Sequence, residues 1–332
     1  MELITRVEMP RTKEINHFDR IMVLGSCFAQ NMGEILSSKK FRCDINPFGI
    51  LYNPLSILQA LEEIYQNKTY TADDLQYDGR QWHSWMHHSS FSSANVNECC
   101  ENINSRIAQS HENLNNLDFI IITWGTAYAY YLSDYKEPFV VGNCHKQKDS
   151  LFNRVRLDGD EIVDGYVAMI DRLREKNPDL KIILTISPIR HIKDGLHGNQ
   201  ISKSVLLLAA EKLCEMRDNI FYFPSYEIMM DELRDYRFYA DDMVHPSSLA
   251  VEYIWMKFSE TFFSELTKKI VEEWSGIEKA LNHRPFDPAS PSYHKFLTQI
   301  VLNINRIKEK YPYFEINKEI EQCQAQLKTL TN

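Results

Sequence analysis

Two short segments carry the residue types of nucleophilic catalysis. Gly25-Ser26-Cys27 ends an apolar run and opens an amphipathic stretch, so both nucleophilic side chains are expected at a helix N-terminus, where free amides favour the thiolate. Asp242 and His245 are three residues apart, which lets the carboxylate hold one imidazole nitrogen while the other acts as a base. Together they predict a nucleophile–base–acid triad. The structural alternatives are that Ser26 caps the helix while Cys27 is simply a small buried residue, and that Asp242 and His245 form an ion pair at the surface.

Other polar residues follow apolar runs elsewhere in the chain. Gly49 lies in the turn-rich segment DINPFGILYNP, and Gly125-Thr126 follows DFIIITW. The amide of Gly49 is predicted to face the site, with ordinary turn chemistry as the alternative for both segments. Arg190 and His191, in SPIRH, are predicted to line the same cleft. Arg190 would bind a carboxylate or phosphate of the substrate, or else pair with a nearby acid.

The elements that position these residues follow from apolar periodicity. Five short apolar runs predict buried strands. They are Ile21–Leu24, Phe41–Ile45, Asp118–Trp124, Lys181–Ile189 and Asn219–Pro224. Amphipathic segments between them predict helices, which begin after Cys27, over Val163–Glu175, after Ser202 as N-cap, and after Ser247 or Ser248. The alternation predicts an α/β fold with a doubly wound parallel sheet, in which functional groups collect where the strands end.

Two regions fall outside this alternation. Residues 69–98 are polar and aromatic without a clear period, which predicts a long inserted loop. Residues 267–332 have helical patterns interrupted by RPFDPASP. They predict a helical C-terminal extension to an α/β domain over residues 1–266, and a possible homodimer contact through its helices.

The inserted loop contains His83, His87 and His88. Histidines four residues apart on a helix can share a metal ion, but the stretch lacks helical periodicity and has no acidic partner nearby in the sequence. We therefore predict no metal site, and expect His87 and His88 to line the substrate cleft.

Composition limits the classes of function. The 332 residues are 44% apolar and 25% charged, with a formal charge of −9. The sequence has no basic stripe with interleaved aromatic residues, so nucleic-acid binding is not expected. It also has no apolar stretch long enough for a membrane helix, and no apolar region typical of a secretory signal. The seven cysteines fit no zinc or disulfide framework. We expect a cytoplasmic protein with reduced thiols and no cofactor.

Several motifs together resemble a known family. GSCFA at residues 25–29, NPFGILYNP and DDMVHPS, with TWGTAY, GNCHK and SPIRH, are similar to the GSCFA-domain proteins. These are grouped with the SGNH/GDSL hydrolases, a flavodoxin-like superfamily of esterases, lipases and acyltransferases. The resemblance extends to about Leu266 and implies that fold and acyl-transfer chemistry.

The resemblance assigns roles to individual positions. Cys27 falls on the nucleophile position, and Ser26 stands where an aspartate is usual. A shift of one residue in the alignment would place Ser26 on the nucleophile position instead. Asp242 and His245 fall on the Asp-x-x-His block. The amides of Cys27 and Gly49 would form the oxyanion hole.

One part of the superfamily pattern is missing. Where it has Gly-x-Asn-Asp, this chain has GTAY at residues 125–128, so the asparagine of the oxyanion hole is absent. Asn143 in VVGNCHK, or Asn53, would supply the missing donor.

These inferences predict an acyl-transfer enzyme, either an esterase or an acyltransferase, that acts on a small-molecule or glycan acyl ester. One alternative is a non-catalytic module of the same fold that binds a glycan or peptide. The other is a metal-dependent phosphoesterase that uses the histidines of the inserted loop.

Overall fold

A five-stranded sheet forms the centre of the α/β region. The computed structural model describes residues 4–10, 12–133, 139–287 and 290–329. The strands are β1 (Arg20–Gly25), β2 (Arg42–Ile45), β3 (Gln76–Tyr77), β4 (Trp82–His83), β5 (Phe119–Trp124), β6 (Tyr128–Leu132), β7 (Val140–Val141), β8 (Phe152–Arg156), β9 (Lys181–Ile186) and β10 (Ile220–Phe223). The helices are α1 (Cys27–Ser38), α2 (Pro54–Gln66), α3 (Val96–Leu114), α4 (Gly159–Lys176), α5 (Gly195–Met216), α6 (Ser225–Glu227), α7 (Ser248–Phe262), α8 (Glu265–Leu281), α9 (Pro291–Lys310) and α10 (Asn317–Thr329). None of these helices is both long and apolar enough to cross a membrane.

The central sheet has the predicted doubly wound topology. Its order is β10-β9-β5-β1-β2, and Ile121 of β5 lies in register between Val23 of β1 and Ile183 of β9 in parallel pairings. Every residue of β5 is buried, as expected for a strand covered on both faces. This is the flavodoxin-like order, in which ligands bind outside the carboxyl ends of the strands where the order reverses, here between β1 and β5.

Most predicted helices form, but the start of α5 was predicted wrongly. The helix begins at Gly195, so Ser202 lies inside it rather than at its N-cap. Its hydroxyl is used for a tertiary contact instead, since it accepts a hydrogen bond from the Ala127 amide at 2.7 Å. Helix α7 begins as predicted, and the Ala250 amide donates to the hydroxyl of Ser247 at 3.3 Å.

Two parts of the α/β region contain more structure than the sequence indicated. Strands β6, β7 and β8 form a small antiparallel sheet, in which the first two residues of the segment VVGNCHK are β7 and GNCHK follows directly after it. Residues 69–98 contain the β3–β4 pair, two 3-10 turns and the start of α3. The region predicted as a loop is therefore a folded insertion.

Contacts divide the chain into two compact units. The first comprises residues 1–13, 20–34 and 43–261, and the second comprises residues 14–19, 35–42 and 262–332. Within the second, α8, α9 and α10 pack around a core that includes Trp274, Ile304 and Phe314. Its buried His17 is hydrogen-bonded on both ring nitrogens, donating to the carbonyl of Lys39 at 2.9 Å and accepting from Tyr313 Oη at 3.1 Å. The predicted boundary at residue 266 stays a prediction, and residues 330–332 of the predicted extension lie outside the described residues.

Candidate active site

The thiol of Cys27 lies at the N-terminus of α1, directly after β1. Gly25 ends β1 with φ of +135°, and a Cβ there would lie 2.2 Å from the carbonyl oxygen of Thr123 on the neighbouring β5. The Gly25 amide donates to Asn46 Oδ1 at 2.9 Å. Only glycine fits this close approach of strands, so the turn that presents Cys27 is held by backbone geometry.

A chain of three side chains begins at this thiol. Cys27 Sγ lies 3.9 Å from Nε2 of His245, and Nδ1 of the same ring lies 2.5 Å from Asp242 Oδ2. The other oxygen, Asp242 Oδ1, accepts from the amides of His245 at 2.9 Å and Val244 at 3.0 Å. These amides, followed by the imidazole, lower the pKa of Asp242 to about 2. Asp242 is therefore ionised at neutral pH and holds the ring with Nε2 toward the thiol.

The loop that carries this pair is fixed by its own backbone. The Ala240 amide donates to the carbonyl of His245 at 2.8 Å, and the Met243 amide donates to the carbonyl of Ala240 at 2.9 Å. Met243 has φ of +58°, a left-handed conformation that is uncommon for a non-glycine residue. The Arg190 amide, after β9, donates to the carbonyl of Val244 at 3.3 Å. The imidazole is thus positioned by a closed turn that is tied to the end of β9.

The thiol is not shifted toward thiolate, contrary to the expectation from its helix N-terminus. Burial raises the pKa of Cys27, and this outweighs the lowering by the amides of Cys27 and Phe28 and by the charge of Lys203. Desolvation disfavours an anion more strongly here than the helix terminus favours it. Cys27 is therefore a thiol at rest, and its activation requires a base.

The neighbouring hydroxyl has no such base. Ser26 is 1% exposed, and in the described part of the chain its Oγ has no hydrogen-bond partner. The structure brings the thiol of Cys27, and not the hydroxyl of Ser26, to His245. Which of the two reacts stays a prediction.

A pocket of about 610 Å³ opens at the thiol. Its lining contains Ser26, Cys27, Tyr52, Asn53, Thr126, Tyr128, Tyr130, Asn143, Cys144, Lys146, Gln147, Asp149, Arg154, Ser187, Arg190, His191, Lys193, Asp194 and His245. The sequence-predicted residues Cys27, Ser26, Asn143, Arg190, His191 and His245 therefore meet in one cavity. Asp242 lies behind His245, while Gly49, His87 and His88 are not part of this lining.

The amide of Gly49 is occupied, contrary to the expectation of a free oxyanion donor. It donates to the carbonyl of Asn46 at 2.7 Å. Gly49 has φ of +79°, and a Cβ there would lie 2.1 Å from His88 Cβ. A turn and a close contact with the insertion account for this glycine.

His87 and His83 are packed in the interior of the insertion, so the placement of His87 in the cleft was predicted wrongly. The ring of His87 is 1% exposed and stacks on Phe48 at 4.1 Å, and its Nδ1 lies 3.0 Å from Ser84 Oγ. Burial lowers the pKa of His87 to about 3. The ring of His83 lies 4.1 Å from that of His145. In the described ranges, no three or more His, Cys, Asp or Glu side chains are grouped to hold a metal ion.

His88, the third histidine of the insertion, also lies elsewhere than predicted. Its Nδ1 accepts from the Ser90 amide at 3.2 Å, which caps the 3-10 turn Ser89–Phe91. Its placement in the cleft was therefore also predicted wrongly.

A buried lysine beneath the pocket was not singled out from the sequence. Lys203 on α5 is 1% exposed, and its Nζ donates to the carbonyls of Gly125 and Ser187, each at 2.7 Å. These carbonyls follow β5 and β9, so the ammonium joins two strand ends. Burial, then the charge of Arg190, lowers the pKa of Lys203 to about 7. Its position one turn before the buried Leu206 was the available signal, because that spacing places it on the apolar face of the helix.

The pocket carries more positive than negative charge. Lys146, Arg154, Arg190 and Lys193 line it, against only two carboxylates. Arg154 pairs with Asp194, while no ion pair of Arg190 is found among the described residues. Within the described part of the chain, Arg190 thus has no acidic partner, and its side chain is hydrogen-bonded to Tyr239.

Comparison with known proteins identifies the family. The model of the GSCFA family matches residues 20–258, and that of the GSCFA domain protein, C-terminal domain, matches residues 274–329. The chain belongs to the GSCFA family. No curated protein matches it. A crystal structure of a carbohydrate esterase family 3 from Talaromyces cellulolyticus is similar over 77% of this chain and 99% of that chain, at 11% identity and a TM-score of 0.35. Similarity at this level does not establish a shared function.

Proposed function

We propose that this GSCFA-family protein is an acyl-transfer enzyme, an esterase or acyltransferase, with Cys27 as nucleophile, His245 as base and Asp242 as the group that orients the base. The observation that carries the proposal is the chain from Cys27 Sγ through the imidazole to Asp242, at the mouth of a pocket. Nucleophile, base and orienting acid in hydrogen-bonded sequence are the shared feature of nucleophilic acyl transfer on unrelated folds.

The resting thiol determines the first step. His245 Nε2 takes the proton from Cys27 Sγ while the sulfur attacks the carbonyl carbon of the ester. The tetrahedral intermediate then collapses, the C–O bond breaks, and His245 returns the proton to the leaving alkoxide. The product alcohol departs and a thioester remains on Cys27. Water, an alcohol or an amine, deprotonated by the same imidazole, then attacks the thioester and restores the thiol.

The charge of the pocket supports an anionic substrate. Four cations and two carboxylates line it, whereas the whole chain carries −9. A cleft of opposite sign to the rest of the molecule concentrates anions. Its volume of about 610 Å³ is within the usual range for small ligands. We propose a small-molecule or glycan acyl ester with a carboxylate or phosphate that Arg190 binds as a fork.

The second candidate is a binding module without turnover. It is favoured by one observation: the Gly49 amide, expected in the oxyanion hole, is already engaged with Asn46. A site that lacks one such donor loses about 10²–10³ in rate, so the same pocket would then bind an ester without cleaving it.

Acyl trapping separates the two candidates. Purified protein is mixed with p-nitrophenyl acetate at neutral pH, quenched, and mapped by peptide mass spectrometry, with His245→Ala and Cys27→Ala as controls. We expect one acetyl group on Cys27 that is lost in both variants. An acetyl group on Ser26 would support acyl transfer with Ser26, rather than Cys27, as the nucleophile. No site-selective label, or a label on Cys27 that is indifferent to His245, would contradict the proposal and favour the binding module.

A further inference from the structure

We propose that His191 is a catalytic residue whose imidazole N–H donates a hydrogen bond to the oxyanion of the tetrahedral intermediate on Cys27. The inference rests on the proposed acyl transfer and adds a residue to it. It supplies a hydrogen-bond donor that the oxyanion hole otherwise lacks, because the Gly49 amide is engaged with Asn46. Of the two amides expected to donate, only that of Cys27, at the N-terminus of α1 where amides lack intrahelical partners, is left for the oxyanion.

His191 lies at the strand ends that meet beside the nucleophile. A Cβ on Gly125, directly after β5, would lie 3.2 Å from His191 Nε2 and 3.6 Å from Ser26 Cβ. The imidazole therefore lies over Gly125, next to the residue that precedes Cys27. Like Cys27 and His245, it lines the pocket. The absence of a side chain at Gly125 is what leaves room for the ring.

The backbone of His191 is held while its ring remains available. Its amide donates to Asn199 Oδ1 at 2.9 Å, which fixes the residue against α5. Within the described residues, neither ring nitrogen has a hydrogen-bond partner. Tyr52 contacts the ring edge-on, with 6.0 Å between centroids. A positioned ring with unused polar atoms, facing a cavity, is the arrangement expected of a group that binds a ligand.

The ring is neutral at the pH of the reaction. Burial, and then the charges of Lys203, Arg154 and His245, lower the pKa of His191 to about 4. A neutral imidazole keeps one N–H donor. At neutral pH it does not act as a second base for the thiol proton, which His245 takes. Neutral imidazoles act as electrophilic donors to developing oxyanions in other enzymes.

The two asparagines expected to replace the missing donor are each held through the carboxamide oxygen. Asn53 Oδ1 accepts from the Ser56 amide at 2.9 Å and caps α2. Asn143 Oδ1 accepts from the His145 amide at 2.8 Å. These contacts orient the carboxamides and leave their Nδ2 groups able to donate, whereas among the described residues the ring nitrogens of His191 have no hydrogen-bond partner at all.

The test compares two reactions of the same thiol. Acylation by p-nitrophenyl acetate passes through an oxyanion, whereas alkylation by iodoacetamide displaces iodide without forming one. Rates of both are measured at Cys27 in the wild type, His191→Ala and His191→Gln, with His197→Ala as the control. His197 is an exposed histidine six residues further along the chain and outside the pocket lining.

We expect His191→Ala to lower the acylation rate by about 10²–10³-fold, with alkylation of Cys27 unchanged. Unchanged alkylation also shows that the variant is folded. His191→Gln, which keeps an N–H donor, should recover part of the loss, and His197→Ala should match the wild type.

Each other result overturns a different statement. Acylation of His191→Ala at the wild-type rate removes His191 from the oxyanion hole and leaves the acyl transfer intact. An equal loss of acylation and alkylation assigns His191 to the thiol instead. A wild type that is alkylated but never acylated at Cys27 contradicts the proposed function itself.

Discussion

The pocket edge and the insertion at residues 69–98 are both rich in histidine and aromatic residues, yet the structure uses them differently. At the pocket edge, His245 and His191 present ring nitrogens to a cavity beside Cys27. In the insertion, His87 is enclosed by Phe48, Tyr70 and Phe91. The surroundings of a histidine, rather than the number of histidines nearby in the sequence, therefore decide whether it can take part in catalysis.

Position in the sheet explains this difference. The pocket edge is built from the segments that follow β1, β5 and β9, whose carboxyl ends converge in a parallel sheet. The insertion folds as a separate β-pair and turns against α3, and the imidazoles of His83 and His87 are buried in it. Changes at the pocket edge should therefore alter rates, and changes in the insertion should alter stability.

The largest effect is expected at the pocket edge, from Asp242→Asn. An amide at that position no longer balances the imidazolium and favours the wrong tautomer of His245. We expect the acylation rate of Cys27 to fall by about 10²–10⁴-fold, measured as the burst of p-nitrophenolate. Because the Asp242 side chain is 48% exposed, the urea midpoint should move little. The neighbouring Asp241→Asn is the matched control, and an equal loss in both variants would contradict the assigned role.

A moderate effect is expected from His87→Phe, and it concerns stability as a function of pH. Burial lowers the pKa of His87 to about 3 from 6.5, so between these values the unfolded chain binds the proton more readily than the native one. Stability is therefore fully present above pH 6.5 and is lost as the pH falls toward 3. This residue contributes up to about 1.4 kcal/mol per pH unit to the slope.

The measurement is the urea midpoint from pH 7 to pH 4 in the wild type and His87→Phe. The phenyl ring keeps the stack on Phe48, so the variant should fold, lose less stability on acidification, and acylate Cys27 at the wild-type rate. His197→Phe, at an exposed site, serves as the control. A dependence of the urea midpoint on pH identical to that of the wild type would show that His87 is not buried as a neutral ring. A loss of acylation would show that His87 lies in the substrate cleft.

The smallest effect is expected from Ser26→Ala, a variant that tests whether Cys27 or Ser26 is the nucleophile. Among the residues that the structure describes, the buried hydroxyl has no hydrogen-bond partner, so its removal should change the free energy of unfolding by less than about 1 kcal/mol. Acetylation of Cys27 should stay within a few-fold of wild type. Loss of all acetylation in Ser26→Ala, with alkylation of Cys27 retained, would instead identify the hydroxyl as the nucleophile.

Much of the fold could be predicted because its strands are locally encoded. The predicted run Asp118–Trp124 and the observed Phe119–Trp124 differ by one residue, since a continuous β-branched stretch is favourable only in a strand buried on both faces. The start of α5 could not be predicted in this way. Its first turns contain two glycines and few apolar residues, and tertiary contacts such as that of Asn199 with the His191 amide accompany the helical conformation there.

Local sequence was enough to predict the five central strands and the helices α1, α4 and α7, together with the motifs of the GSCFA family and the Asp-x-x-His segment, because each depends on residues close along the chain. It did not indicate the helices α2 and α3 or the strands β3, β4 and β6–β8. Contacts between distant parts of the chain decide that His245 faces Cys27, that Lys203 joins two strand ends, and that His191 lies over Gly125. The partners in these contacts are far apart in sequence. Whether a polar group is free or satisfied depends on which of them folding brings within hydrogen-bond distance, and local periodicity does not contain that information.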